Sequence, residues 1–312
     1  MMGKKSSYIH WFLSNLPSSL AIRFAHKGKR TDRFKDLRNL NLEDSDKMLI
    51  SALESGKSFA AIRFGAVELS CLNGHEKIEL GFKKHYKASV AYSMKNNAGY
   101  FPTDEKSLQR YGDALLPILK ETDYLGISGA HMEEYFQIHY CPDASILLYE
   151  AMEPLRGRWT SRLKGKKVLV VSPFAKEIAS QYQKRELLFP KGSDILPEFT
   201  LLTLKAPLTC ADSKPSSSSF FEELEKMERE MAKLDFDVAL IGAGAYGTFL
   251  ALEAKRLGKQ GIQTGGATMT LFGILGKRWE NRPHVAQYVN SNWIRPSEKP
   301  DGYQKIEGGA YW

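Results

Sequence analysis

The chain has 312 residues, 43% hydrophobic and 26% charged, enough for one large domain or two ordinary ones with a sizeable buried core. No apolar run approaches the roughly 20 residues that cross a bilayer, and Asn15, Pro17 and the neighbouring serines break the opening stretch too early for a secretory signal. Three scattered cysteines, Cys71, Cys141 and Cys210, suit neither a disulfide framework nor a zinc site and fit free thiols in the cytoplasm.

The net charge of +8 is placed unevenly. Residues 1–40 carry nine lysines and arginines against two acids, a net +7, which leaves +1 for the remaining 272 residues. The same segment holds Trp11, Phe12, Leu13, Leu16, Leu20, Ile22 and Phe24. A basic, aromatic leader (residues 1–44) ahead of a single domain (45–312) is what peripheral contact with an anionic membrane requires. Its alternatives are a solvated extension or a helix packed on the body, and Pro17 is expected to split any helix there. The body has no basic stripe of its own, so no nucleic-acid partner is expected.

Beyond the leader, "SDKMLISALESG" predicts a helix ending at Gly56. "FAAIRFG" (59–65) predicts a buried strand, and residues 104–120 a helix with Leu108, Tyr111, Leu115 and Leu119 on one face. "DYLGIS" and "SILLY" predict short strands, and "KKVLVVSPF" a central parallel one. "AKEIASQYQKRELLF" predicts one helix and "FTLLTLKAP" a further strand. "DSKPSSSS" (212–219) predicts a loop, and Ser219 with Glu222 a capping box before Phe220, Leu224, Met227, Met231 and Leu234. The alternation implies an α/β fold, Rossmann-like, with a mostly parallel sheet and helices on both faces.

The strand "VALIG" leads into Gly242, Gly244 and Gly247, a Gly-x-Gly-x-x-Gly turn that lets backbone approach a pyrophosphate at a helix N-terminus. For an NAD(P)-dependent oxidoreductase, an acid that binds the ribose belongs about 20 residues on. That place reads Gln263-Thr264, and too little chain follows for the rest of a dinucleotide fold. A nucleotide-sugar diphosphate needs no such acid, and close strand–helix packing would need the same glycines. Gly265, Gly266 and Thr268 form a second amide-rich turn, with Lys277 and Arg278 as cations beyond it.

"RFGAVELSCL" (63–72), "NNAGYFP" (96–102), "EPLRGRWTSRLKGKKVLVVSPFAKEIASQYQKRELLF" (153–189), "GAGAYG" (242–247), "GGATMTLFGILGKRWE" (265–280) and "EGGAYW" (307–312) occur in this order. Together they resemble the GT-D-type glycosyltransferases, a bacterial family, from about residue 59 to 312. The resemblance implies sugar transfer from a nucleotide donor, typically a UDP-sugar, to a glycan or lipid-linked glycan in surface polysaccharide or glycoprotein assembly. It also implies a divalent metal, Mn²⁺ or Mg²⁺, held by an Asp-x-Glu motif. Here that motif reads Ala66-Val67-Glu68, so one of two carboxylates is missing, and a non-catalytic nucleotide- or glycan-binding relative stays open. Glu68 is the candidate metal ligand or general base, its alternative being a first-turn helix acid. Arg63 is the second catalytic candidate. Gly65, Asn96, Asn97, Lys176, Gly242, Gly244, Gly247, Gly265, Gly266 and Thr268 are the candidate donor-binding residues.

Overall fold

A run such as Val168–Val171 is apolar at every position, which suits a parallel strand covered on both sides. The computed structural model describes residues 3–24 and 40–312, side chains 17–24 excepted; the leader's basic run from Lys27 to Arg38 lies outside them. Its seven strands are β1 (Phe59–Arg63), β2 (Tyr124–Ile127), β3 (Ser145–Leu148), β4 (Lys167–Ser172), β5 (Thr200–Lys205), β6 (Val238–Ile241) and β7 (Gln260–Ile262). They form one sheet in the order β3-β2-β1-β7-β6-β4-β5, and every pairing is parallel.

Period-two alternation divides the core. Ala60, Ile62, Leu169, Val171, Ala239 and Ile241 belong to one buried cluster. Phe59, Ala61, Val168, Val170, Val238 and Leu240 belong to the other. Helices Ala66–Glu79, Glu133–Tyr140, Phe220–Ala232 and Tyr246–Arg256 cover the first face. Helices Leu42–Glu54 and Ala175–Tyr182 cover the second, with the C-terminal segment carrying Trp279, Trp293 and Trp312. Connections running toward β3 cross the first face and those running toward β5 cross the second, so all the crossovers have one hand, as right-twisted strands require. Neighbouring β4 and β6 send their following helices to opposite faces and opposite edges. In open α/β sheets, the crevice at the strands' carboxyl ends beside such a switch is where ligands bind.

Local signals explain most element boundaries. Asp104 caps its helix by accepting from the Ser107 amide at 3.0 Å. Ser219 accepts from the Glu222 amide at 3.3 Å, while the Glu222 carboxylate takes the Ser218 amide and hydroxyl, both at 2.9 Å. Two expectations are corrected. The helix expected over 175–189 breaks into Ala175–Tyr182 and Arg185–Leu188, because Leu188 and Phe189 turn down into the second core cluster. Pro17 does not split the leader, whose single helix spans Lys4–Phe24. The backbone hydrogen bond that Pro17 forfeits is offset by docking of the preceding turns. There Tyr8 is buried, its hydroxyl donating to Asn73, and Lys4 pairs with the buried Glu76 at 3.0 Å.

Leu169, fully buried between strands, offers a check on the core. Leu169→Ala is expected to lower unfolding free energy by about 2–5 kcal/mol, read from the midpoint of denaturant unfolding at unchanged m-value.

Candidate functional site

The carboxyl ends of β1, β7, β6 and β4 lie side by side in the sheet, each followed by a turn into a helix. The turn after β6 is held tightly. Gly244 has φ +53°, and a Cβ there would fall 2.7 Å from the Ala98 carbonyl oxygen. A Cβ on Gly242 would fall 2.5 Å from the Gly265 carbonyl oxygen, and one on Gly247 would fall 2.8 Å from Gln263 Nε2. The glycines therefore serve close packing between four segments. One amide at the start of the following helix is also used internally, since Ala245 N donates to the Ala98 carbonyl at 3.0 Å. Among the described residues the amides of Ala243 and Gly244 donate to nothing.

Gln263 stands where a ribose-binding acid would. It is buried, and its Oε1 accepts from the Arg63 amide and the Thr248 hydroxyl, each at 3.1 Å. It ties β7 to β1 and to the glycine helix, and it offers a ribose nothing. Thr268 is buried too, its hydroxyl donating to the Gly265 carbonyl at 2.6 Å.

Asn97, Gly244, Gly242, Gly265, Gly266 and Thr268 line one cavity of about 60 Å³, space for a few waters. Its other walls were not foreseen from sequence: Ser172 and Phe174 at the end of β4, Cys210, and Ile306, Tyr311 and Trp312 from the C-terminus. Burial, with Glu68 nearby, pushes the Cys210 thiol up to about 12, so it is not a nucleophile at neutral pH. The C-terminal strap is latched across the cavity. Arg278 pairs with Glu307, the Arg278 amide donates to the Ala310 carbonyl at 2.9 Å, and the Glu307 amide donates to Asn97 Oδ1 at 3.3 Å. Gly308 and Gly309, with φ +72° and +80°, reverse the chain so that Tyr311 covers Gly266. The only sequence signal for this wall was the "GGAYW" ending, whose glycines and aromatics say that a turn packs but not where.

Arg63 ends β1 against the second glycine turn. A Cβ on Gly265, at φ +59°, would fall 1.6 Å from Arg63 Nη2. The guanidinium lies 4.2 Å from the centre of the Tyr149 ring and has no carboxylate partner within ion-pair distance among the described residues. Glu68, three residues after the N-cap Gly65, folds its carboxylate back over that glycine. Although half-buried as a whole residue, Glu68 is surrounded by enough protein that desolvation raises its pKa, outweighing its own backbone amide and Arg63.

The remaining candidates lie apart. Asn96 is buried and donates to the Tyr92 carbonyl at 2.8 Å, inside the short π-helix Met94–Ala98. Lys176 and Lys277 are exposed and are not among the cavity walls. At the metal position Ala66 is exposed on the first helical turn and supplies no ligand. Beside Glu68 stands a guanidinium, and no group of three His, Cys, Asp or Glu is assembled among the described residues. A divalent ion bridging phosphates wants one or two carboxylates and no competing cation, so these residues do not fit a metal centre.

Comparison with protein-family models, with curated proteins and with solved structures finds no match to this chain.

Two expectations follow from the geometry. Gly258 has φ +76° but open space around a Cβ, so Gly258→Ala should cost about 1–2 kcal/mol from backbone strain alone. Gly244→Ala adds a collision with a carbonyl and should cost clearly more, read by the same denaturation series. Glu68 has a raised native pKa, so its ionisation opposes folding once pH exceeds the unfolded-state value. Glu68→Gln should therefore be at least as heat-stable as the native protein at neutral pH. The native protein should gain on the variant as pH falls, measured by calorimetry across pH 4–8 (roughly the carboxylate range).

Proposed function

We propose that the chain is a glycosyltransferase that takes a sugar from a nucleoside diphosphate donor and passes it to a glycan or lipid-linked glycan at the inner face of the cell membrane. The observation that carries this reading is the unpaired Arg63 guanidinium lying on the Gly265 turn, next to a cavity walled by Gly242 and Gly244 at the carboxyl end of the sheet. A cation without a carboxylate partner, beside amides without acceptors, suits the diphosphate of such a donor. The ordered motifs of the GT-D-type family support the same conclusion.

In this reading Arg63 and the Gly244 amide hold the diphosphate and stabilise the charge that grows on its oxygen as the bond to the sugar breaks. The acceptor hydroxyl oxygen attacks the anomeric carbon, and its proton passes to Glu68. A carboxylate with a pKa raised by burial is a better base toward a hydroxyl than one in water. No step is assigned to a metal. The cavity of about 60 Å³ is well below the roughly 300–1,000 Å³ of small-molecule sites, so donor entry requires the strap Glu307–Trp312 to lift from its latch on Arg278 and Asn97.

Calorimetric titration with UDP in the presence of a chelator tests the reading. Binding is expected, with Arg63→Ala weakening it by about ten- to a hundredfold, as for a lost charge-assisted hydrogen bond. Donor turnover should fall by roughly 10²–10⁴ in Glu68→Gln with little change in UDP affinity. UDP binding with background turnover in both proteins would assign the chain to the non-catalytic relatives. Binding of a nicotinamide dinucleotide in place of UDP would overturn the proposal.

A further inference from the structure

Three aromatic residues of the leader, Tyr8, Trp11 and Phe12, pack against the body. Tyr8 is buried, Trp11 and Phe12 are half-buried against the first core cluster, and Asn15 is buried behind them. At 100° per residue these positions, with Lys4, form one side of the helix. Flanking that side, about 110° around the helix, runs a stripe of Lys5, Ile9, Leu13 and Leu16, with the three aliphatic side chains 42%, 57% and 37% exposed in the order Ile9, Leu13, Leu16. Tyr8 packs on Phe82 at 5.5 Å between ring centres, Lys5 Nζ lies 5.1 Å from the Phe82 ring, and Lys77 Nζ lies 5.7 Å from the Phe12 ring. The helix is thereby joined along one edge to the segment 77–87, which reads "KIELGFKKHYK".

That segment is strongly cationic. Lys83, Lys84 and Lys87 are exposed, and neither they nor Lys5 nor Lys77 has an ion-pair partner among the described residues. The nearby acids are engaged: Glu76 is buried against Tyr135 and Lys4, Glu79 accepts from Gln109, and Glu105 takes His85 and the Tyr86 amide. Burial first, then the charges of Lys87 and Lys83, lower the pKa of Lys77. Five lysines without ion-pair partners among the described residues thus lie on the leader helix, as Lys5, and on the segment 77–87 that packs along it. Lysine is depleted at protein interfaces, which take about 20–30 residues a side, whereas aliphatic side chains edged by lysines match the boundary of an anionic bilayer.

We propose that this composite face, Ile9, Leu13 and Leu16 edged by Lys5, Lys77, Lys83, Lys84 and Lys87, docks the protein on an anionic lipid surface, with the leader helix lying in the plane of the headgroups. The face is built from the folded body as well as the leader. It gives the proposed transferase its membrane contact, but lipid binding is read without donor or acceptor, so the two ideas stand or fall separately.

The experiment is co-sedimentation of the full chain with vesicles of phosphatidylcholine alone and with vesicles containing about one-third phosphatidylserine. Binding is expected only to the second kind and should weaken with added salt. Lys83→Glu/Lys84→Glu/Lys87→Glu should cut it by roughly a hundredfold, each cation being worth about fivefold at such a surface. The matched reversal Lys164→Glu/Lys184→Glu/Lys191→Glu, in segments that pack on the other face of the sheet, should leave it unchanged. Circular dichroism and melting temperature confirm that both variants fold. Equal binding to both vesicle types, no binding, or equal effects of the two triple variants would overturn the proposal. Self-association abolished by Ile9→Ser/Leu13→Ser, without vesicle binding, would overturn it in favour of a second copy of this chain.

Discussion

The approach of Gly244 to the Ala98 carbonyl, and of Gly242 to the Gly265 carbonyl, is the constraint on which the site depends. Cβ positions 2.7 and 2.5 Å from those oxygens mean that any side chain at either place would hold the end of β6 away from its neighbours. Parallel strands deliver their carboxyl ends to one edge regardless of sequence, but they do not bring the turns beyond those ends into contact. Here the turn after β6 closes on the turn after β7 and on the segment 94–98, in both cases against a backbone carbonyl. The Ala245 amide bond to Ala98 then fixes Asn97 and Gly99 against Thr209 and Cys210, which places the far wall of the cavity.

The charged pair sits differently in this frame. Arg63 is the last residue of β1, so its backbone is fixed by pairing to β2 and by Gln263, and only its side chain is free to choose a partner. It lies on Tyr149 and over Gly265 without neutralisation. Glu68 is one helical turn further, close enough for Arg63 to pull its pKa down but not enough to offset burial. A pair optimised for stability would close into an ion pair. Keeping a desolvated carboxylate and a guanidinium near but apart is unfavourable for folding.

Most of the fold was legible. Six of the seven strands announced themselves by a short apolar run, because a parallel sheet covered on both faces leaves little polar alternation to hide it; β7, Gln260–Ile262, carries no such run. The glycine turn was legible as a turn, yet its glycines read the same for packing as for a phosphate, and the structure shows packing accounting for all three. Legibility failed where contacts are long-range. Tyr149 under Arg63, Gln263 latching β1, and Tyr311 and Trp312 closing the cavity pair residues far apart in the chain. Periodicity carries no information about such pairings. Pro17 misled for a related reason: its local cost is real, but the docking that offsets it involves Asn73 and Glu76, which local rules do not see.

The strap and the leader illustrate how one sheet serves two surfaces. The C-terminal strap closes on the carboxyl edge through an ion pair, two backbone amide hydrogen bonds and buried aromatics, with Glu307 at φ +49° in a conformation that side chains resist. A non-glycine residue held there costs about 1–3 kcal/mol. Among its described residues the leader has no such strain. Its helix is anchored by buried Tyr8 and by Glu76, which accepts from Lys4, Tyr135 and Tyr140 at once. A carboxylate so fully engaged ties the docked helix to the body, and that helix is the element that carries the exposed aliphatic side chains of Ile9, Leu13 and Leu16.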